Sequence, residues 1–328
     1  MKNSVTKILF VRLFSSIVVL FLLITSIFVL LRIAPGDPLQ KFISQEFSKE
    51  LAEKVRESFH LNSTISDQYL IFVKNLISGD LGISYNYHSP VLYVIKDYLL
   101  FTLVFSSICF SVQIIVSYQL ALIAYKKKGS TIDKAFSGIS LVIYSIPGFV
   151  TAIILISIFS VSFHMLPSSD LKSINFDELS FPQKIFDYSR HLILPVITLS
   201  LGGIIIFYRY LRDNYNSISK KSFVLFLRTL GLSDNEILKK HIIPNSLGPL
   251  ISVAGVQLGM LLSGSLITEV IFGLPGMGRL TVNAILLRDY PLVVGCTFVS
   301  GVLIISSNLF ADLIKAKIDK RLLKEILN

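Results

Sequence analysis

Between two long apolar runs lies Phe223-Val224-Leu225-Phe226-Leu227-Arg228-Thr229-Leu230-Gly231-Leu232-Ser233-Asp234-Asn235-Glu236-Ile237-Leu238-Lys239-Lys240-His241-Ile242-Ile243-Pro244. The spacing predicts two short helices joined by a turn, a hairpin held at a membrane surface. Gly231 suits the position just past the first helix, because a residue without Cβ takes positive φ at no steric cost. Ser233, with Glu236 three residues on, forms a capping box that starts the second helix. Pro244 is expected to end the surface excursion where the next membrane helix begins. On the first helix Phe223, Phe226, Leu227 and Leu230 recur at helical spacing, and so broad an apolar stripe predicts a partner.

The runs on either side belong to a wider pattern. Hydrophobic residues make up 52% of the 328, only 16% are charged, and the mean hydropathy is +0.69, which places the chain among membrane proteins. Leu13 to Leu31 is 19 residues long, enough to cross a hydrocarbon core of about 30 Å. It is too long for the core of a cleaved signal peptide, and Pro35-Gly36-Asp37-Pro38 follows it rather than a small-x-small cleavage site. Further spans are expected at about 98–124, 138–161, 191–211, 248–270 and 292–314, six in all, and an even number puts both termini on one side. The reading divides the chain into an N-terminus and first span (1–31), an extracytoplasmic insertion (32–97), a transmembrane core (98–314) with a cytoplasmic loop at about 212–247, and a cytoplasmic tail (315–328). Within the insertion two amphipathic helices are expected, one from Ser48 through Phe59 and one from Ser66 through Ile77, the second ended by Gly79-Asp80-Leu81-Gly82.

Charge sets the orientation. With a cytoplasmic N-terminus, 19 of the 31 Lys and Arg fall in the inside segments, and seven of the other twelve lie in the long 32–97 loop, where the positive-inside rule is weak. The hairpin therefore faces the cytoplasm. The net charge of +10 is read as marking these loops rather than a nucleic-acid partner.

No Gly-x-x-x-x-Gly-Lys-Ser/Thr phosphate loop and no His-Glu-x-x-His motif occurs, and the five histidines are scattered. Cys109 and Cys296 stand singly in apolar runs and read as small buried hydrophobes. No catalytic residue, cofactor or metal site is expected. Gly255, Gly259 and Ser263 recur every four residues on the fifth span; that face fits either intramolecular packing or a subunit interface. Gln257 on the same span is read as an interhelical hydrogen-bonding group, and Pro147-Gly148 should kink the third span. Glu269, Arg279, Arg288 and Asp289 gather near the outer ends of the last two spans, around a tight or re-entrant turn at Pro275-Gly276-Met277-Gly278.

The hairpin resembles the coupling loop of the permease subunits of bacterial binding-protein-dependent ABC importers, in particular the B-type subunit of the dipeptide/oligopeptide/nickel permease family. Gly231 and Pro244 fit that pattern, whereas Leu225, Phe226 and Leu227 replace its Glu-Ala-Ala. Arg209 through Arg212, Glu269, Pro275-Gly276-Met277-Gly278-Arg279 and Arg288-Asp289-Tyr290-Pro291 continue the likeness without a gap. Arg32-Ile33-Ala34-Pro35-Gly36-Asp37-Pro38 and Gly79-Asp80-Leu81-Gly82 extend it toward the N-terminus.

The resemblance implies an all-α polytopic membrane protein with the type I ABC importer permease fold in a bacterial cytoplasmic membrane. Its partners would be a homologous second permease, two ATP-binding subunits that carry out the hydrolysis, and an extracytoplasmic solute-binding protein. Phe223, Phe226, Leu227, Arg228, Gly231, Glu236 and Pro244 would couple to the ATPase. Glu269, Pro275, Gly276, Gly278, Arg279 and Asp289 would belong to an outer gate, and Arg209 and Arg212 would anchor a helix end to phosphate headgroups. A di- or oligopeptide is the first substrate class implied, and nickel or a metal chelate the second. An ion-coupled secondary transporter is the rival from another class. It would need polar groups at the span centres, where Gln257 is the strongly polar side chain singled out.

Overall fold

Lipid cannot satisfy a backbone N–H or C=O, so an apolar run that crosses it must be helical, and the computed structural model is built accordingly. It describes residues 2–33 and 64–318. The elements are α1 (Lys2–Ile33), α2 (Ile65–Ile77), α3 (Val91–Lys126), α4 (Thr131–Ser145), α5 (Gly148–Leu155, continued by a π turn Ile156–Ser162) and α6 (Phe181–Ser219). There follow α7 (Ser222–Thr229), α8 (Asp234–Ile237) with a π turn Leu238–Ile242, α9 (Ile243–Leu262), α10 (Leu266–Ile271), α11 (Met277–Leu286) and α12 (Tyr290–Ile318). The helix expected from Ser48 and most of Arg32–Pro38 lie outside the described residues.

Among the described residues five stretches are long and apolar enough to span a membrane, and the bent pair α4–α5, taken as one span, makes a sixth. At 1.5 Å per residue, the 39 residues of α6 reach about 58 Å. This helix is therefore much longer than the hydrocarbon is thick. The largest packing surfaces join α3 to α6 and α9 to α12, while α1 lies on the outside of α12. Arg12 near the start of α1 is paired with Asp312 near the end of α12, so the two terminal spans meet at one end of the bundle. At the other end of α1, Phe28 stacks on Phe72 of α2 at 5.1 Å, and Thr25 bonds Tyr69 at 2.9 Å. The amphipathic helix expected from Ser66 is thus α2, capped by Thr64.

Two expected spans are broken more sharply than the apolar pattern suggests. The third does not merely kink: α4 and the Gly148–Ser162 stretch meet at 101°. Pro147 has no N–H for the helix ladder and drives the residue before it into extended backbone, and Ile146 has φ −87° and ψ 123°. On the fifth span, α9 stops at Leu262, and Gly264 at φ +96° turns the chain into α10. Both cysteines are buried in apolar surroundings, Cys109 beside Phe105 and Leu194, Cys296 beside Val91 and Leu292.

Candidate functional site

The hairpin forms as its residues dictate. Leu232 N–H reaches Leu227 O at 3.3 Å and Gly231 N–H reaches Arg228 O at 3.0 Å, the two bonds of a Schellman end, with Gly231 at φ +81°. Ser233 and Glu236 close the capping box through bonds of 3.3 Å in both directions. Arg228 Nε spans the turn to Asp234 Oδ1 at 3.0 Å. Pro244 does not interrupt the chain. It sits in the first turn of α9, and the π turn Leu238–Ile242 leads α8 directly into that helix, which needs no N–H at the proline.

What the hairpin buries differs in one respect from the expected stripe. Val224, Ile237 and Leu238 are buried in a core with Ala121, Ala124 and Tyr215, and Leu227 packs against the same core. Leu227 is therefore an inward anchor rather than part of the outer face. With Val224 turned inward, the free face is Phe223, Leu225, Phe226 and Leu230, of which Phe226 is 62% and Leu230 59% exposed.

At the opposite end the chain from α10 to α11 folds into a tight buried hairpin. Glu269, 1% exposed, lies in α10 and places Oε2 3.0 Å from the backbone N–H of Arg279, in the first turn of α11. A Cβ on Gly276 would come within 2.4 Å of the Glu269 carboxyl carbon, and one on Gly278 within 2.8 Å of Leu266 backbone. Both glycines are thus demanded by close approach, and the carboxylate caps the positive end of α11. Met277 N–H donates to Thr102 Oγ1 of α3 at 2.8 Å. The Arg279 side chain binds Gly273 O rather than a carboxylate, and Asp170 N–H donates to Phe272 O at 2.8 Å, which ties the loop between α5 and α6 onto this turn. Pro275 lines a shallow cavity beneath that loop.

The four charged residues near the outer ends do not form one cluster. Asp289 is fully buried at the start of α12, where it accepts from Leu292 N–H at 3.3 Å, from Asn86 N–H at 3.0 Å and from the Ser84 hydroxyl. It caps α12 and staples the segment before α3 to it. Arg288, at φ +56°, is exposed.

Elsewhere the structure decides one reading left open and corrects two. Gly255 and Gly259 face α12 of the same chain: their Cβ positions fall 2.4 Å from Ala311 Cβ and 2.7 Å from Ser307 Oγ. Ser307 bonds Gly255 O at 2.8 Å and Ser300 bonds Ser263 O at 3.1 Å, so this small-residue face is an intramolecular seam. Arg212 is not left for headgroups; its Nε lies 2.8 Å from Asp133 Oδ1, a carboxylate buried at the start of α4. Gln257 is not the sole strong dipole within the spans, because Gln113 of α3 is completely buried and donates to Leu199 O at 3.3 Å, across from Gly203.

A family model described as a binding-protein-dependent transport system inner membrane component matches residues 117–324. The chain belongs to that family. A companion model for the N-terminal part of such components matches residues 5–106 of this transport component. It is 31% identical over 296 residues to the oligopeptide transport system permease protein AppB of Bacillus subtilis, covering 90% of this chain and 92% of that one. It is 29% identical over 320 residues to the nickel import system permease protein NikB of Staphylococcus aureus strain MRSA252, covering 97% and 92%. In fold it matches a chain of the MetNI methionine ABC transporter in an inward-facing conformation, with a TM-score of 0.52 at 16% identity, over 70% of this chain and 97% of that one. The component is thus an all-α, multi-pass permease of an ABC importer, a membrane subunit that is not itself catalytic.

Sequence reasoning missed the buried polar seam of this permease along α3. Thr102, Ser106, Gln113 and Ser117 recur at intervals of three or four with Cys109 among them, all buried. Helical recurrence of polar residues inside an apolar run was the signal available.

Proposed function

We propose that the chain imports a di- or oligopeptide through a bundle whose hairpin end faces the cytoplasm, with both termini on that side. A homologous second permease would complete the pore. Two ATP-binding subunits would hydrolyse ATP at the hairpin end, and an extracytoplasmic solute-binding protein would deliver substrate at the end carrying the Glu269 turn. The observation that supports this most is the division of the hairpin. Its inner face is spent on the chain's own core, while Phe223, Leu225, Phe226 and Leu230 remain as an apolar surface that a lone subunit has no use for. The charge asymmetry of the loops supports a cytoplasmic position for that surface, on the side where ATP is.

Docking there would rest on apolar burial around the Arg228–Asp234 clasp, with Gly231 and Glu236 holding the turn and Pro244 starting the helix that carries motion inward. Closure of the ATPases would then shift α9 and, through α10, the turn around Glu269, Gly276, Gly278 and Arg279 at the outer gate. Peptide as cargo is supported by the oligopeptide permease of Bacillus subtilis and by a putative peptide permease of Brucella suis, 31% identical over 314 residues. The nickel permease of Staphylococcus aureus supports the second reading.

The test is ATPase activity of the reconstituted complex with its solute-binding protein, loaded in turn with dipeptide, oligopeptide and nickel. Stimulation by peptide is expected. Stimulation by nickel alone would move the cargo to the second reading, and no stimulation under any load would sink both cargo readings.

A further inference from the structure

The Asp133–Arg212 pair sits among exposed cations, of which Lys128 lies within electrostatic reach of Asp133 without pairing with it. Lys126, Lys127 and Lys128 are exposed at the turn out of α3, Lys134 is exposed in the first turn of α4, and Arg209 is exposed one turn before Arg212. None of these five forms an ion pair among the described residues. Asp133, the buried carboxylate at their centre, is already taken by Arg212 Nε at 2.8 Å and by Gly129 N–H at 3.0 Å. Asp213 also lies beside Arg212, at 3.9 Å. Phe136 meets the Tyr208 ring edge-on at 6.5 Å, which puts Lys134 and Arg209 at the same crossing of α4 over α6.

From that cationic start α4 runs on with its polarity reversed. Asp133 and Ser140 are buried, while Ile139, Leu141, Val142 and Tyr144 are between 56% and 62% exposed. An acidic protein surface would complement the cations but not this apolar face. Neutral lipid would cover the face and leave the cations unmatched.

We propose that the junction of α3, α4 and α6 binds an anionic phospholipid. Its phosphate is held by Lys127, Lys128 and Arg209, and its acyl chains lie along Ile139 and Val142. A basic rim beside an outward apolar helix face is the pairing that selects anionic headgroups. This role is separate from docking of the ATPase, whose face is built from other residues.

The chain contains no tryptophan, so Tyr144→Trp supplies a single reporter on that face. The full chain is reconstituted in phosphatidylcholine vesicles containing equal fractions of brominated phosphatidylglycerol or brominated phosphatidylcholine, and fluorescence quenching is compared. Quenching by the anionic lipid is expected to correspond to a roughly fivefold local enrichment, and Lys127→Gln with Lys128→Gln and Arg209→Gln should bring it down to the phosphatidylcholine level. Equal quenching by both lipids overturns the proposal, as does an excess that survives the three substitutions.

If the triple variant does not reconstitute, Arg209→Gln and Lys127→Gln are measured singly. Each should remove part of the excess, and no change in either overturns the proposal. Release of ATPase from the triple variant with its lipid preference intact would assign the cations to a protein contact and likewise overturn it. Because quenching is read on the chain alone, failure here leaves the transport reading untouched.

Discussion

The Glu269 carboxyl carbon lies 2.4 Å from the point where Gly276 would carry a Cβ. Any larger side chain at 276 would therefore require the Glu269 carboxylate to move from its place beside the start of α11. Gly276→Ala should displace the cap from α11 and destabilise the chain by about 1–3 kcal/mol, seen as a lower midpoint of thermal unfolding in detergent. Gly278→Ala should be at least as harmful, since it meets backbone. Gly138→Ala is the control, with nothing within 4 Å of its Cβ. An unchanged midpoint for Gly276→Ala would show that the turn yields.

Docking of the hairpin should resist salt. Burying a Phe or Leu contributes roughly 1.5 to 3 kcal/mol and is not screened. Phe226→Asp is expected to uncouple or release the ATPase by placing an unpaired charge in the contact. Arg228→Gln should do less, because the clasp it makes with Asp234 is largely exposed. Gly231→Val should fail as well, since a β-branched residue does not hold φ +81°. Co-purification of ATPase at low and high ionic strength decides the matter. Retention by Phe226→Asp, together with loss of ATPase from the parent in moderate salt, would transfer the contact to Lys220, Lys221, Lys239 and Lys240.

Gly259→Leu should separate α9 from α12, because even a Cβ there falls 2.7 Å from Ser307 Oγ and 3.3 Å from Ile304 Cα. A reduced folded yield in detergent is expected. Normal yield and transport would mean that the seam between these helices can open without cost.

The orientation is tested by single cysteines in a background lacking Cys109 and Cys296. Lys127→Cys and Lys239→Cys should resist an impermeant reagent on intact cells, whereas Asp67→Cys and Lys172→Cys should react. Outside labelling at Lys239→Cys reverses the topology.

The parts of the fold that were legible in the sequence are those governed by local chemistry. The turn at Gly231, the capping box at Ser233 and the membrane-length runs need only neighbours in the chain to be read. The contacts that decide function join distant segments. Nothing near Glu269 announces that its partner is the backbone N–H of Arg279 rather than a cation. Nothing near Arg212 announces Asp133, which is 79 positions away. Leu227 and Phe226 are alike as apolar neighbours on one short helix, and only the position of α3 and α6 beneath them sends one inward and leaves the other free. Gly255 and Gly259 carried a true signal of close approach, and the identity of the approaching helix required the packed bundle.

The break at Pro147 bears on how the chain is made. Each half of the bent pair has 15 residues, about 22 Å of helix, which falls short of a hydrocarbon core of about 30 Å. Neither half is a stable insertion unit when it leaves the ribosome. The partner that donates to Asp133 and packs on Phe136 is α6, which is synthesised later. Biogenesis of this span therefore has to wait for a downstream one, and until Arg212 emerges the carboxylate at its start lacks its guanidinium partner. A chain truncated between Ser180 and Arg212 should be a quality-control substrate rather than a partly assembled bundle.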